Sequence, residues 1–186
     1  MSLNILILDL ETSGLFPTRH SILEVAAIPV SLASNHVISK KCAYSEVVKY
    51  PSSSIYEMDK YCFKMHNLSG LISELTTAKN ELKEIEQGII NLIKDVFPKV
   101  YTHRESLYLC GSSIHFDRGF INVHMPNFAR FLHYRMIDVT SYSLVRNEIK
   151  PRESERKEVK HRALADAEYS LSILEEMAEI VSKGVA

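Results

Sequence analysis

The sequence predicts an α/β fold in which a central mixed five-stranded sheet is flanked by helices. Three observations favour it. An apolar run with strand character opens the chain at residues 3 to 10, and an amphipathic segment with helical spacing covers residues 79 to 97. A strand, helix, strand succession then follows at residues 106 to 139. Such a succession makes its two strands parallel, so the sheet combines both strand directions.

The first three strands are predicted at residues 3 to 10, 21 to 31 and 37 to 46. Two segments rich in turn residues separate them, with the sequences TSGLFPTRH and LASNH. Short connections of this kind join antiparallel neighbours. The three strands therefore form a meander, and the second strand runs antiparallel to the others.

Helices are predicted next, at residues 53 to 65, 68 to 76 and 79 to 97. The third is the clearest of them, and Pro98 follows its end, where proline stops a helix. Its apolar residues recur at helical spacing: Leu82, Ile85, Ile89, Leu92, Ile93 and Val96.

The rest of the chain completes the sheet. Residues 106 to 113 (SLYLCGSS) predict a fourth strand and residues 133 to 139 (HYRMIDV) a fifth, with helical segments between them around residues 116 to 132. A polar stretch at residues 150 to 160 predicts a mobile loop near any active site. The last helix is predicted at residues 163 to 182. Its buried stripe consists of Leu164, Ala167, Leu171, Leu174, Ala178 and Val181.

Length and composition predict one domain over residues 1 to 186, with 46% apolar residues to form its core. No apolar stretch reaches the roughly 18 residues of a membrane span and no secretory signal is evident, so we expect a cytoplasmic protein. The formal net charge of −1 argues against a protein that binds long nucleic acid through many phosphate contacts, but it allows a short anionic substrate. Cys42, Cys62 and Cys110 are widely spaced and are expected to be reduced and structural.

Two acidic residues end the first apolar strand, in the sequence NILILDLETSGL. Side chains alternate along a strand, so Asp9 and Glu11 share one face. Burying unpaired carboxylates is costly. These two must therefore lie at the open end of the strand, meet cations or bind a metal ion.

Three more candidate site residues, two acids and a histidine, follow along the chain. Asp117 comes just after the fourth strand, where an aspartate is often a simple helix cap. His161 and Asp166 lie five residues apart at the start of the last helix, a spacing that puts two helical residues on different faces. We therefore expect His161 in the preceding loop and Asp166 pointing inward from the helix. Taken singly, Asp166 also reads as a surface acid and His161 as an ordinary loop residue.

Taken together, these five residues resemble the motif of the DEDDh 3′-to-5′ exonucleases. The resemblance narrows to the oligoribonuclease family and extends along nearly the whole chain. The stretches that carry it are DLETSGL, HNLSGL, CGSSIHFD, FLHYRMIDV and HRALAD. The residues that match the motif are Asp9, Glu11, Asp117, His161 and Asp166.

The resemblance implies a ribonuclease-H-like fold and phosphodiester hydrolysis with two divalent cations, Mg²⁺ or Mn²⁺. Two such ions stabilise charge on the attacking and leaving oxygens, and both prefer oxygen ligands. By resemblance, Asp9 bridges the ions, Glu11 and Asp166 are further ligands, and Asp117 holds the second ion directly or through water. His161 is the expected general base, since an unperturbed histidine pKa of about 6.5 suits that role near neutrality.

The resemblance also implies a substrate pocket for short single-stranded RNA, from dinucleotides to about five nucleotides. Leu15 would wedge against the bases, while Ser113, Arg135 and His66 would close around a terminal phosphate. Tyr134 would reach the site of the partner subunit in a homodimer. Four of these residues have an ordinary alternative: core packing for Leu15, the start of an edge strand for Tyr134 and Arg135, and a helix end for His66.

Several positions depart from the usual oligoribonuclease pattern: Thr12, Ser13, Tyr61, Ser112 and Ala165. They leave the acidic residues intact but bear on substrate fit and on a stacking surface at Tyr61. An alternative function is a DEDDh exonuclease acting on DNA or on structured RNA 3′ ends, which DLETSGL fits slightly better. A catalytically silent scaffold is a further alternative, which the intact set of five residues disfavours.

Overall fold

The computed structural model describes residues 2–33, 38–149 and 161–184. Within them, a mixed six-stranded sheet is flanked by helices, which confirms the predicted fold class. The strands are β1 (Leu3–Thr12), β2 (Ile22–Leu32), β3 (Ile38–Lys40), β4 (Tyr44–Val47), β5 (Leu107–Gly111) and β6 (Leu132–Asp138). The helices are α1 (Lys60–Leu68), α2 (Leu71–Leu75), α3 (Leu82–Val96), α4 (Pro98–Tyr101), α5 (His115–His124), α6 (Pro126–Ala129), α7 (Val139–Ile149) and α8 (Ala163–Gly184), with a 3₁₀ helix at Ser52–Glu57.

The sheet has the predicted directions. The strand order is β3-β2-β1-β5-β6, and β4 pairs with β2 beside β3. Strand β2 is antiparallel to β1, β3 and β4, whereas β1, β5 and β6 are parallel. Strand β1 therefore lies in the middle, and the carboxyl ends of three parallel strands meet at one edge of the sheet.

The predicted third strand, residues 37 to 46, is broken in two. Strand β3 pairs with residues 30 to 32 of β2, and β4 pairs with residues 24 to 27. Between them, three residues lie opposite only two, and one of those two is Pro29, which has no N–H to donate. A local bulge and a missing donor thus interrupt this edge strand.

Each face of the sheet carries its own core. Leu6, Leu8 and Leu10 of β1 pack with α3 and α5, while Ile5 and Ile7 pack with α8. The alternation predicted for the first strand is therefore confirmed. Asp9 and Glu11 continue the row of Ile5 and Ile7 and lie on the face that α8 covers.

A helix that the sequence analysis did not predict, α7, follows β6 directly. It escaped the pattern because its apolar residues do not form a buried stripe: Val139 is buried, whereas Leu144, Val145 and Ile149 are each at least 60% exposed. In the part of the chain that the structure describes, none of the helices combines the length and the hydrophobicity of a membrane span. The polar stretch at residues 150–160 lies outside the described residues.

Candidate active site

The first part of the site is the carboxyl end of β1. Glu11 is buried, Asp9 is half-buried, and the pairing of β1 with β2 shifts register between Glu11 and Thr12. In the antiparallel pair, Glu11 lies opposite Glu24 of β2. Two carboxylates opposite each other in a sheet are destabilising unless a cation lies close to them.

Helix α5 brings Asp117 against this strand end. The side chain is buried, and its Oδ1 atom accepts a hydrogen bond of 3.0 Å from the backbone N–H of Leu10. The N-cap of α5 is Ile114, so the structure does not support the helix-cap alternative for Asp117. Instead, its carboxylate is fixed to the strand that carries Asp9 and Glu11.

Helix α8 brings in the last two residues. It begins at Ala163, so His161 precedes it, as predicted. His161 has a φ of +48°, in the left-handed region, and this conformation turns the chain just before the helix. Ligand atoms of Glu11, His161 and Asp166 all lie within 4.8 Å of one another. The loop residue and the helical residue thus meet at the end of β1.

Burial and mutual repulsion raise the pKa values of the acidic side chains. Burial has the largest effect on Asp9, followed by the charges of Asp117, Glu11 and Asp166. Burial, then Asp166 and Glu24, raises the pKa of Glu11 to about 8. Burial raises the pKa of Asp117 to about 7 and that of Asp166 above its ordinary value. The acids therefore resist ionisation until a cation joins them.

This donor set fits divalent cations that prefer oxygen. Asp9, Glu11, Asp117 and Asp166 offer carboxylate oxygens, and an ion bound among them would relieve the repulsion that raises their pKa values. Mg²⁺ and Mn²⁺ meet this description. The four acids are the residues that would hold such ions.

Leu15 lies on an exposed loop that follows β1. The side chain is 65% exposed, which excludes the core alternative. Gly14 shapes this loop, because a Cβ atom there would lie 2.3 Å from the ring of His20. An exposed apolar side chain on the loop that follows the acidic end of β1 is available to contact a base.

The predicted phosphate-binding residues lie in different settings. Ser113 is held by its backbone N–H, which donates to Asp138 Oδ1 and Thr140 Oγ1 at 3.1 and 3.0 Å. Tyr134 and Arg135 are exposed on β6, with the guanidinium 5.4 Å from the centre of the Tyr134 ring. They belong to an edge strand, as their ordinary alternative proposed, and their exposure leaves them free to bind a ligand.

His66 is placed differently from the others. It lies near the end of α1 and is fully buried, with Nε2 2.8 Å from the carbonyl oxygen of Thr12 and Nδ1 3.7 Å from Glu11. Burial is the largest influence on its pKa, which is lowered. A neutral ring that donates to Thr12 supports the end of β1. Contact of His66 with a phosphate stays a prediction.

Sequence reasoning missed Glu24 and its partner Arg162. Glu24 is almost fully buried, and its carboxylate accepts hydrogen bonds from the Arg162 guanidinium and from the N–H of Ala163. One signal was available: a lone acid within the apolar strand sequence ILEVAAIPV requires a buried partner. The identity of that partner was not available, because Arg162 lies 138 residues away.

The model of the RNase_T family, described as an exonuclease family, matches residues 6–174. The chain belongs to this exonuclease family. It is therefore a metal-dependent exonuclease, a hydrolase of phosphodiester bonds.

Relatives of this exonuclease include oligoribonucleases. The oligoribonuclease of Francisella tularensis is 32% identical over 171 residues, which cover 92% of each chain. That of Corynebacterium diphtheriae is 34% identical over 171 residues, covering 90% of this chain and 78% of the relative. The predicted resemblance to the oligoribonuclease family is confirmed.

Solved structures support the ribonuclease-H-like fold of this exonuclease. Exonuclease I of Methylocaldum szegediense superposes with a TM-score of 0.67 at 13% identity over 95% of this chain. Exonuclease I of Escherichia coli, solved with a dT13 oligonucleotide, gives a TM-score of 0.65 at 14% identity over 94% of this chain. The chain spans about 40% of the length of each.

Without a divalent cation, the stability of this exonuclease should fall as pH rises. Unfolded Glu11 loses its proton near 4.5, but the folded side chain keeps it up to about 8, so deprotonation in that window favours unfolding. In EDTA, the melting temperature of Glu11→Gln should therefore fall less between about pH 5 and pH 8 than that of the unchanged protein. Added Mn²⁺ should raise the melting temperature of the unchanged protein most at the higher pH. Equal pH profiles for the two proteins would contradict this electrostatic account.

Proposed function

We propose that this chain is a 3′-to-5′ exoribonuclease that hydrolyses short RNA, above all dinucleotides, to mononucleotides with two divalent cations, Mg²⁺ or Mn²⁺. The observation that carries the proposal is the meeting of Glu11, His161 and Asp166 within 4.8 Å at the end of β1. Oligoribonuclease relatives that align with 90% or more of the chain support the substrate class.

The acidic residues and His161 have distinct roles in this mechanism. Asp9, Glu11, Asp117 and Asp166 would hold the cations, which when bound stabilise charge on the attacking and leaving oxygens. His161 accepts a proton from the attacking water at a ring nitrogen. Because it precedes α8, its ring is free to approach the reacting phosphate while Asp166 stays fixed on the helix.

Selection of short RNA rests on few contacts. A formal net charge of −1 offers little attraction for a long backbone, so affinity must come from well-placed groups. The exposed fork of Arg135 suits a terminal phosphate, which Ser113 would help to bind, and Leu15 would contact the bases. A pocket closed around a chain end rejects longer RNA.

A homodimer is part of the proposal. Strand β6 is the edge of the sheet, and its Tyr134 is 73% exposed. The adjoining helix α7 exposes Leu144, Val145 and Ile149. An edge strand beside exposed apolar residues favours association with a second copy of the chain. In such a dimer, Tyr134 would reach the active site of the partner subunit.

A second candidate is an exonuclease that acts on DNA or on structured RNA 3′ ends. The likeness to exonuclease I, solved with a DNA oligonucleotide, favours it. This likeness extends to the fold alone, at 14% identity. The two candidates differ in the substrate length and sugar that the enzyme prefers, which the following measurement separates.

Cleavage of 5′-phosphorylated RNA of two, five and twenty nucleotides, and of matched DNA, should be fastest for the ribodinucleotide. Arg135→Ala should slow dinucleotide cleavage by the equivalent of about 2 to 5 kcal/mol in kcat/KM, because a charge-assisted pair is lost, and affect longer RNA less. Arg104→Ala is the matched control. Arg104 precedes β5, which is parallel to β1, so it lies at the edge of the sheet opposite the acidic cluster.

Either of two results in this series would favour the second candidate, an exonuclease that acts on DNA or on structured RNA 3′ ends. One is wild-type cleavage of twenty-nucleotide DNA as fast as of the ribodinucleotide. The other is an equal loss at every length in Arg135→Ala. Each would remove the dinucleotide preference from the proposal.

Subunit mixing tests the role of Tyr134. Tyr134→Ala and Asp9→Asn should each be inactive or weak alone, but their mixture should regain activity. In the mixed dimer, the subunit that keeps Asp9 faces the intact Tyr134 of its partner. Asp9→Asn mixed with Asp166→Asn is the control and should stay inactive, because both changes damage the chain's own acidic cluster. A monomer by light scattering, or equal inactivity of both mixtures, contradicts the shared site.

A further inference from the structure

Arg162 bridges two glutamates that are distant in sequence. Its Nη1 and Nη2 atoms donate to the two carboxylate oxygens of Glu74, at 2.7 and 2.8 Å. Its Nε and Nη2 atoms donate to Glu24, at 2.9 to 3.2 Å. Every nitrogen of the guanidinium is therefore used. We call this group of three side chains the Arg162 clamp.

The Arg162 clamp holds the backbone at the start of α8. Arg162 lies between His161 and Ala163, and the N–H of Ala163 donates to Glu24 Oε2 at 3.0 Å. The carbonyl oxygen of Arg162 accepts from the N–H of Asp166 at 3.1 Å. The residue with the left-handed conformation, His161, is thus joined directly to a segment fixed by side-chain and backbone bonds.

The two glutamates contribute unequally to the Arg162 clamp. Glu24 is buried on the central part of the sheet, so its position is set by the core. The Glu74 side chain is 46% exposed on the short helix α2, and it supplies the second, bidentate half of the contact. Glu24 also pairs with two guanidinium nitrogens, Nε and Nη2, so Glu74 adds a second bidentate pair at the other edge of the group. Removing Glu74 therefore frees Nη1 and loosens Arg162 while the buried Glu24 keeps its partner.

We propose that Glu74 is a positioning residue for His161 and acts through Arg162. This inference rests on the proposed function, in which His161 takes the proton from water. Glu74 touches no residue of the acidic cluster in the hydrogen bonds and ion pairs of the described residues. It limits motion of the backbone that carries the base. A base displaced from its reacting position slows the chemical step without changing how the substrate binds.

The test compares kinetics and metal binding in Glu74→Ala, Glu74→Asp and Arg162→Lys. Glu74→Ala should lower kcat on the 5′-phosphorylated ribodinucleotide about 10- to 100-fold, with KM and calorimetric Mn²⁺ affinity unchanged. Arg162→Lys should lose a similar factor, because a lysine keeps the charge but not the fork. Glu74→Asp should recover part of the rate. His161→Ala gives the lower limit for kcat.

Lys40→Ala is the matched control for this test. Lys40 pairs with Glu168 of α8 at 3.4 Å, and both partners are about as exposed as Glu74, but the pair lies outside the Arg162 clamp. Its removal should leave kcat unchanged. Equal kcat values for Glu74→Ala and the unchanged enzyme would overturn the inference, as would a fall in Mn²⁺ affinity that accounts for the lost rate. An unchanged enzyme that fails to cleave the dinucleotide would instead refute the proposed function.

Discussion

Repulsion among buried and half-buried carboxylates governs how the active-site end of this protein is built. Asp9, Glu11, Asp117 and Asp166 converge at the end of one central strand, and burial and like charge raise the pKa of each. Such an arrangement costs stability in the folded protein. It persists because the chemistry of a phosphodiester hydrolase requires concentrated negative charge to hold divalent cations.

Several elements of the fold together hold these carboxylates in place. Strand β1 lies in the middle of the sheet, so its core residues anchor Asp9 and Glu11, while α5 fixes Asp117 to the backbone of the same strand. Helix α8 adds Asp166 from one face. The cation of Arg162 lowers the pKa of Glu11 and so opposes part of the repulsion. Arg162, just before α8, thus both helps to position the start of the helix and compensates part of the negative charge.

Local patterns explain what could be predicted from the sequence. Strand alternation placed Asp9 and Glu11 on one face, and the five-residue spacing placed His161 outside the last helix, because both follow from backbone geometry. The contact between Arg162 and Glu74 spans 88 residues and follows only from the tertiary fold. Helix α7 was missed because most of its apolar residues are exposed and form no buried stripe. The break in the third strand depends on pairing with Pro29, which its own residues do not reveal.

In the proposed mechanism, the carboxylate cluster holds two divalent cations. Calorimetric titration of the metal-free protein with Mn²⁺ near neutral pH tests it most directly, with Asp9→Asn for comparison. The account predicts about two ions per chain for the unchanged protein and a clear loss of binding in Asp9→Asn, which remains folded by circular dichroism. Absence of Mn²⁺ binding, or equal binding by both proteins, would contradict it.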